Sequence, residues 1–502
     1  MSMADSLTVL KKELLQNIVP QIIDLLATSM AKVAPVHDVE EGLWDLLLKA
    51  GHQTLRAFFD SHGTGNLGEK IALPDGRDVH RLEKLHSRRY VSIFGEFLLP
   101  RTVYGSREGQ ALEFVPFDNR LQLPESVYSQ VLQDWDQALA VEQAFSQVSK
   151  TIARMLHLEQ PVDSLEGMNR QMAKEVGDFR DLQGSPPAAE EGEILVASAD
   201  QKGVVIRGQG TPTVCGGQRP GGQRANQKRM ATVGAVYTID PYLRSPADVV
   251  AALFRDPDYE APPRPKPCHK RVMANLPKEA PPATSSMDAV FTWLWWESAQ
   301  RNPRSKRPVI CLFDGQSALW EACAKYLLFD DWVGILDFLH VTPRLWDAAK
   351  LLYGNKGKEV VPTVRHWALE VLEGKVEKVI RTMRRHGKQY GLKGSKKKAL
   401  ARITGYLHKN RERMHYDEYL RAGYPIASGI IEGACRHLVK DRMERAGMHW
   451  TLQGAQAMLD VRSIWIGENW NAFQQFRIDR EAQRLYPNRE VVAGESYFAL
   501  AV

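Results

Sequence analysis

Three carboxylates carry the chemistry this sequence could do. Asp200 closes the apolar run Glu193-Ile-Leu-Val-Ala-Ser-Ala-Asp200, Asp314 closes Val309-Ile-Cys-Leu-Phe-Asp314, and Glu432 lies within Ser428-Gly-Ile-Ile-Glu-Gly-Ala-Cys-Arg-His-Leu. The first two runs read as strands and the third as a helix. A pair of Mg²⁺ ions about 3.5–4 Å apart needs a few carboxylates converging on one point from rigid elements far apart in sequence. Such a set would support phosphoryl transfer on nucleic acid.

Each residue also has a plainer reading. Asp314-Gly315 is a common turn pair. Glu432 with Arg436 has the i, i+4 spacing of a helical ion pair, and a lone His340 after a strand is often a hydrogen-bonded structural group. The Trp293, Trp295 and Trp296 cluster is expected to pack in a core rather than stack on bases. It is the three acids falling together in fold order that points to a metal site. Other chemistries find no support. Gly63-Thr-Gly-Asn-Leu-Gly-Glu-Lys has Glu69 where a phosphate-binding loop needs lysine, and neither Gly-x-Ser-x-Gly nor His-Glu-x-x-His occurs.

The elements that must position the acids follow from periodicity. Residues 1–60 show apolar positions at helical steps (Leu10, Leu14, Ile18, Ile22, Leu25), residues 88–124 turn strand-like, and Pro124 to about Val176 is helical in short pieces broken near Leu158–Pro161. Three short helices there are also compatible with a helix-turn-helix. The run Gln183-Gly-Ser-Pro-Pro-Ala-Ala-Glu-Glu-Gly-Glu marks a boundary, giving an N-terminal region over 1–185 and a second domain over 186–502. Past it, Ile194–Ala199, Gly203–Arg207 and Ala231–Ile239 read as three strands, and eight prolines between Pro257 and Pro282 as an extended loop, near 256–285. A tryptophan-bearing helix follows, then a strand to Asp314, a helix Ser317–Leu328, a strand Val333–Asp337 and a helix from Pro343.

Three strands, then helix, strand, helix, strand, helix is the order of a ribonuclease H-like mixed sheet. The expected fold class is therefore an α/β core of that kind with flanking helices and a basic helical insertion near 345–425, behind a mostly helical N-terminal region with a small β element. In such a sheet the first and fourth strands are neighbours, about 4.8 Å apart, whereas the fifth starts roughly 10 Å from the first. Asp314 is thus expected as the second metal ligand, with Asp337 in an outer layer orienting the site. The Glu432 helix would start at Ser428 and bury Ile431, Ala434, Cys435 and Leu438.

Composition bounds the partners. With 502 residues, 44% of them apolar and 25% charged, and a mean hydropathy of −0.35, the chain reads as globular, without a membrane span or a leader peptide, and cytoplasmic. Five cysteines with no Cys-x-x-Cys argue against disulfides and structural zinc, and the adjacent Cys268-His269 cannot chelate tetrahedrally. The net charge of +6 hides a concentration: residues 375–414 hold fourteen Lys or Arg against two acids. A basic stretch of this density fits a phosphate backbone, and it also fits a solvated helix pair. Lys396, Lys397 and Lys398 are its densest point, and Lys202, Arg207, Arg436 and Lys440 lie near the acids in sequence, where they could hold phosphates.

Several blocks together resemble bacterial insertion-sequence transposases of the ISKra branch, DDE enzymes related to Mutator-type transposases. These are Asp200-Gln-Lys-Gly-Val-Val-Ile-Arg, Ala231-Thr-Val-Gly-Ala-Val-Tyr-Thr-Ile-Asp, Leu312-Phe-Asp-Gly, Ile335-Leu-Asp-Phe-Leu-His, and Gly429-Ile-Ile-Glu-Gly-Ala-Cys-Arg-His-Leu-Val-Lys-Asp-Arg-Met with Gly447-Met-His-Trp. The resemblance covers most of residues 80–480. It implies that Asp200, Asp314 and Glu432 bind two Mg²⁺ ions, which Mn²⁺ can replace, and that Asp337-Phe-Leu-His340 matches the family's Asp-x-x-His motif. It also implies transposon ends and target DNA as partners and a homo-oligomer on DNA, with no nucleotide cofactor. Two departures stand out: Gln201 replaces a usual glycine, and the Cys-rich knuckle common near the N-terminus is missing. A nuclease without strand transfer, or an inactive DNA-binding descendant, would share these residues.

Overall fold

The computed structural model describes residues 3–106, 113–207, 226–278, 285–328, 331–427, 429–445 and 448–493. The chain divides into two compact units, Met1–Glu175 with Trp470–Val502, and Val176–Asn469. The boundary thus falls ahead of the Pro- and Glu-rich run, and the C-terminal stretch groups with the N-terminal region rather than with the second domain.

The first unit opens with helices α1 (Met3–Glu13), α2 (Val19–Lys32) and α3 (Val36–Ser61), as the periodicity of residues 1–60 requires. Five short strands follow: β1 (Lys70–Ala72), β2 (Asp78–Arg81), β3 (His86–Ser92), β4 (Gly95–Arg101) and β5 (Tyr104–Gly105). β3 and β4 form a hairpin, and β1, β2 and β5 a separate sheet. Helices α4 (Pro116–Leu121), α5 (Gln130–Ala140), α6 (Phe145–Leu156) and α7 (Val162–Leu182) come next, the last passing into the second unit at Val176. α6 shows the rule plainly, burying Phe145, Val148, Ile152 and Leu156 at three- and four-residue steps.

The second unit is a mixed α/β layer structure around one five-stranded sheet. Its strands are β6 (Ile194–Arg207), β7 (Asn226–Ile239), β8 (Cys268–Asn275), β9 (Val309–Phe313) and β10 (Trp332–Leu336), in the order β10-β9-β6-β7-β8. β6, β7 and β8 are antiparallel neighbours, whereas β9 and β10 run parallel to β6. Helices α8 (Pro246–Phe254), α9 (Ser286–Arg301), α10 (Ser317–Tyr326), α11 (Phe338–Tyr353), α12 (Val360–Leu372), α13 (Val376–Gln389), α14 (Gly394–Asn410) and α15 (Tyr416–Arg421) flank it. One face packs Leu195, Ala197, Val309 and Cys311 against α9 and α10. The other packs Ile194, Val196, Ile310 and Leu312 against α11 to α15. Burial on both faces is why β9 reads as an unbroken apolar run. Helix α16 (Gly429–Ala434) continues into a π-helical turn (Cys435–Lys440), followed by α17 (Asp441–Met443) and α18 (Leu452–Ile466). The remaining helices, α19 (Trp470–Leu485) and α20 (Glu490–Ala493), belong to the first unit.

Three strand and helix boundaries differ from expectation. Ile194–Ala199 and Gly203–Arg207 are one strand, because β7 pairs along its full length, from Ile194↔Ile239 to Arg207↔Asn226, and the ladder runs unbroken through Asp200, Gln201 and Lys202. The third strand is β8, inside the stretch read as a proline-rich loop: residues 268–276 contain no proline, so every amide there can enter a ladder. Helix α11 begins five residues before Pro343. The proline's missing amide frees the Leu339 carbonyl, which accepts instead from Thr342 Oγ1 at 3.3 Å. Of the tryptophans on α9, Trp293 packs against the core but Trp295 is exposed. The basic stretch is helical as expected, and no described helix is long and apolar enough to cross a membrane.

Candidate active site

Register brings three aspartates to one level. Ala199 pairs with Phe313, and Phe313 with Leu336. Asp200, Asp314 and Asp337 are the next residues, and the Asp337 amide donates to the Phe313 carbonyl at 2.9 Å. Paired residues of parallel strands share a face, so Asp200 and Asp314 continue the face of Val196 and Leu312, the one covered by α11 to α15. Gln201 lies in extended β6, so the position makes no demand for the glycine that the resemblance leads one to expect there.

Local structure then aims the groups. Asp314 is half-buried, and its Oδ1 accepts from the Gln316 amide at 2.8 Å. Asp337 is buried and caps α11, Oδ1 accepting from the Leu339 amide at 2.8 Å. One helical turn on, His340 Nε2 lies 3.7 Å from Glu432 Oε1. Asp337, His340 and Glu432 each offer a ligand atom within 4.8 Å of the others, the one such cluster among the described residues. Glu432 is carried by α16, which packs on β6 and β7 and buries Ile431 and Ala434, with Cys435 and Leu438 buried in the following turn. The expected cap, Ser428, lies outside the described residues. Arg436 does not pair with Glu432; its Nε lies 3.7 Å from Asp441.

Asp200, Asp314 and Glu432 do not form such a cluster among the described residues, whereas Asp337, expected in an outer layer, meets Glu432. Strand spacing placed Asp337 relative to Asp200 but not relative to α16, whose approach depends on packing across the sheet. Asp200 is engaged by a residue the sequence marked only as part of a buried helix face: Cys435 Sγ donates to its Oδ2 at 3.5 Å. Burial, and then the charge of Asp200, hold the Cys435 thiol far above its ordinary range, so it remains a donor. Tyr406, from α14 in the basic insertion, is a second unforeseen neighbour. Burial and then the Asp314 charge push its phenol up to about 12.

The carboxyl of Asp314 is raised above the usual carboxylate range, first by burial and then by the charge of Asp200, against the opposing pull of the Gln316 amide, His340 and Arg344. A group whose native value is raised stabilises the fold at low pH and loses that contribution as pH climbs through its native value. Asp314→Asn is therefore expected to raise the melting temperature at neutral pH; calorimetric scans check this, and a lower midpoint would contradict it.

The cations are dispersed. Lys202 is half-buried and near enough to Cys435 for its charge to act on the thiol. Arg207, Arg436 and Lys440 are exposed, and Lys396, Lys397 and Lys398 occupy the exposed first turn of α14. Cys268 is a free thiol, and its neighbour His269 faces Glu190 at 3.3 Å.

Fold and site together define an α/β protein that gathers carboxylates, one imidazole and one thiol at the end of three adjacent strands. No protein-family model matches the chain, and no curated protein matches it.

Proposed function

We propose that the chain is a ribonuclease H-like DDE transposase, cutting DNA at transposon ends and joining the exposed 3′-hydroxyl to target DNA. The observation that carries this reading is the single level shared by Asp200, Asp314 and Asp337 on three adjacent strands, with Glu432 and His340 brought against Asp337. The donor set fits hard divalent cations: it is mostly carboxylate oxygen, and burial, with a smaller contribution from the charge of Asp200, raises Asp314. Asp200, Asp314 and Glu432 would hold Mg²⁺ or Mn²⁺, with ligand atoms of Asp337 and His340 within 4.8 Å of that of Glu432. The ions, when bound, would lower the pKa of an attacking water or hydroxyl and stabilise the leaving 3′-oxygen.

The chain's own groups divide the rest. The Gln201 amide and the Cys435 thiol orient Asp200, the α11 cap holds Asp337, and Lys202, Arg207, Arg436 and Lys440 would hold phosphates. The exposed cations of α13 and α14 supply a salt-sensitive grip on the backbone, and no nucleotide is required.

The test uses purified protein, Mg²⁺ or Mn²⁺, and linear duplex carrying the DNA that flanks the gene. Cleaved ends and a joined product are expected. Cleavage without joining would favour a nuclease, and binding without cleavage in either metal an inactive DNA-binding protein. Neutralising Lys396, Lys397 and Lys398 together is expected to weaken DNA binding and flatten its salt dependence, by up to about 0.9 in slope per lost phosphate contact. An unchanged slope would assign those lysines to a solvated surface.

A further inference from the structure

The turn that bears Asp314 meets one distant segment twice, directly at Gly315 and indirectly through Trp320. Tyr406 occupies the space that a side chain at Gly315 would need: a methyl group there would lie 2.2 Å from Tyr406 Cε2 and 2.5 Å from its hydroxyl oxygen. Only the absence of a Cβ lets the ring reach the turn. Trp320 Nε1 donates to the Asp314 carbonyl at 2.7 Å, and the Arg413 guanidinium lies over the Trp320 ring, 4.2 Å from its centroid. Tyr406 is on α14, and Arg413 ends the short 3₁₀ turn that follows it. The Arg344 guanidinium, from α11, lies over the Tyr406 ring at 5.1 Å and closes the stack.

We propose that Tyr406 and Arg413 are positioning residues through which the basic helical insertion sets the Asp314–Gly315 turn. The insertion is thereby part of the catalytic apparatus and not only a surface for DNA. The Tyr406 ring fills the space beside Gly315 and Arg413 backs the Trp320 that holds the Asp314 carbonyl, so the direction in which the Asp314 carboxylate leaves β9 depends on contacts made about ninety residues later in the chain. The catalytic half of this inference rests on the function proposed above; the mechanical half does not.

Hydrogen exchange of the amides from Gly315 to Trp320, read beside steady-state cleavage of the flanking-DNA duplex, separates the two halves. Tyr406→Ala is expected to speed exchange in this turn by about ten-fold, to lower kcat by a similar factor, and to leave KM for DNA and the salt slope unchanged. Tyr406→Phe, which keeps the ring, restores most of both. Arg413→Ala loosens the same amides through Trp320. Gly315→Ala expels the ring and reproduces the loosened turn, but adds little when Tyr406 is already alanine, because the two substitutions break one contact. Unchanged exchange in Tyr406→Ala overturns the proposal, as does a raised KM at constant kcat. Wild-type protein that cleaves no DNA, while Tyr406→Ala still loosens the turn, would sink the transposase reading and leave the clamp standing.

Discussion

Replacing Asp200, Asp314 or Glu432 singly by alanine is expected to lower metal-dependent DNA cleavage by at least about 10³-fold, because losing a ligand forfeits several kcal/mol of charge stabilisation in the transition state. DNA binding should persist in each variant, since the exposed cations of α13 and α14 lie on other elements. Asp337→Ala and His340→Ala are the informative companions. Their atoms and that of Glu432 lie within 4.8 Å of one another, the one such group of potential ligands among the described residues. Strand register sets Asp314 between Asp200 and Asp337. If Asp314→Ala abolishes cleavage and Asp337→Ala lowers it about 10–100-fold, as for a residue that orients a ligand, Asp314 is the middle acid. The reverse pattern moves that role to Asp337. Near-wild-type rates in Asp200→Ala would remove Asp200 from the site altogether.

Unfolding measured between pH 5 and pH 8 is expected to show a large loss of stability that originates in the first unit at Asp136. This carboxyl is fully buried on α5; Gln160 Nε2 donates to its Oδ2 at 2.8 Å, and Oδ1 has no hydrogen-bond partner. Burial raises it to about 7, with the Gln160 bond only partly offsetting. Because the native value lies above the unfolded one, stability is fully present below the ordinary carboxylate range and falls as pH rises toward 7. From an ordinary carboxylate value of 3.8 to about 7, the difference is worth on the order of 4 kcal/mol at pH 8 relative to acid conditions. Asp136→Asn should flatten the profile and raise stability at pH 8, in denaturant titrations at both pH values. Identical profiles for the two proteins would show that Asp136 does not titrate in this way.

The two sites differ in how far the chain announces them. Asp200 and Asp314 follow apolar runs that alternate or continue as strands must, and Ile431, Ala434, Cys435 and Leu438 show the spacing of one helical face. Local periodicity therefore identified the elements carrying the acids. It failed where the signal was composition rather than period: prolines hid β8, and the polar triplet Asp200-Gln-Lys made a fourteen-residue strand look like two. Asp136 was invisible for another reason. An aspartate on an amphipathic helix is ordinarily solvated, and only the packing around α5 shows that this one is not.

What the sequence determined by itself was the kind and order of the elements around the acids and the concentration of positive charge after β10, because these depend on neighbours a few residues away. Tertiary structure alone decided which acids meet. It turned α11 so that His340 reaches Glu432 and laid α16 so that Cys435 touches Asp200, whereas the pairing of β9 with β6 that levels Asp200 with Asp314 follows the order of elements read from the sequence. It also drove Tyr406 into the space left by Gly315. Each of these contacts joins residues tens to hundreds of positions apart. Their geometry follows from strand order, register and the close packing of helices on a sheet, and none of these is encoded in the local spacing of apolar and charged side chains.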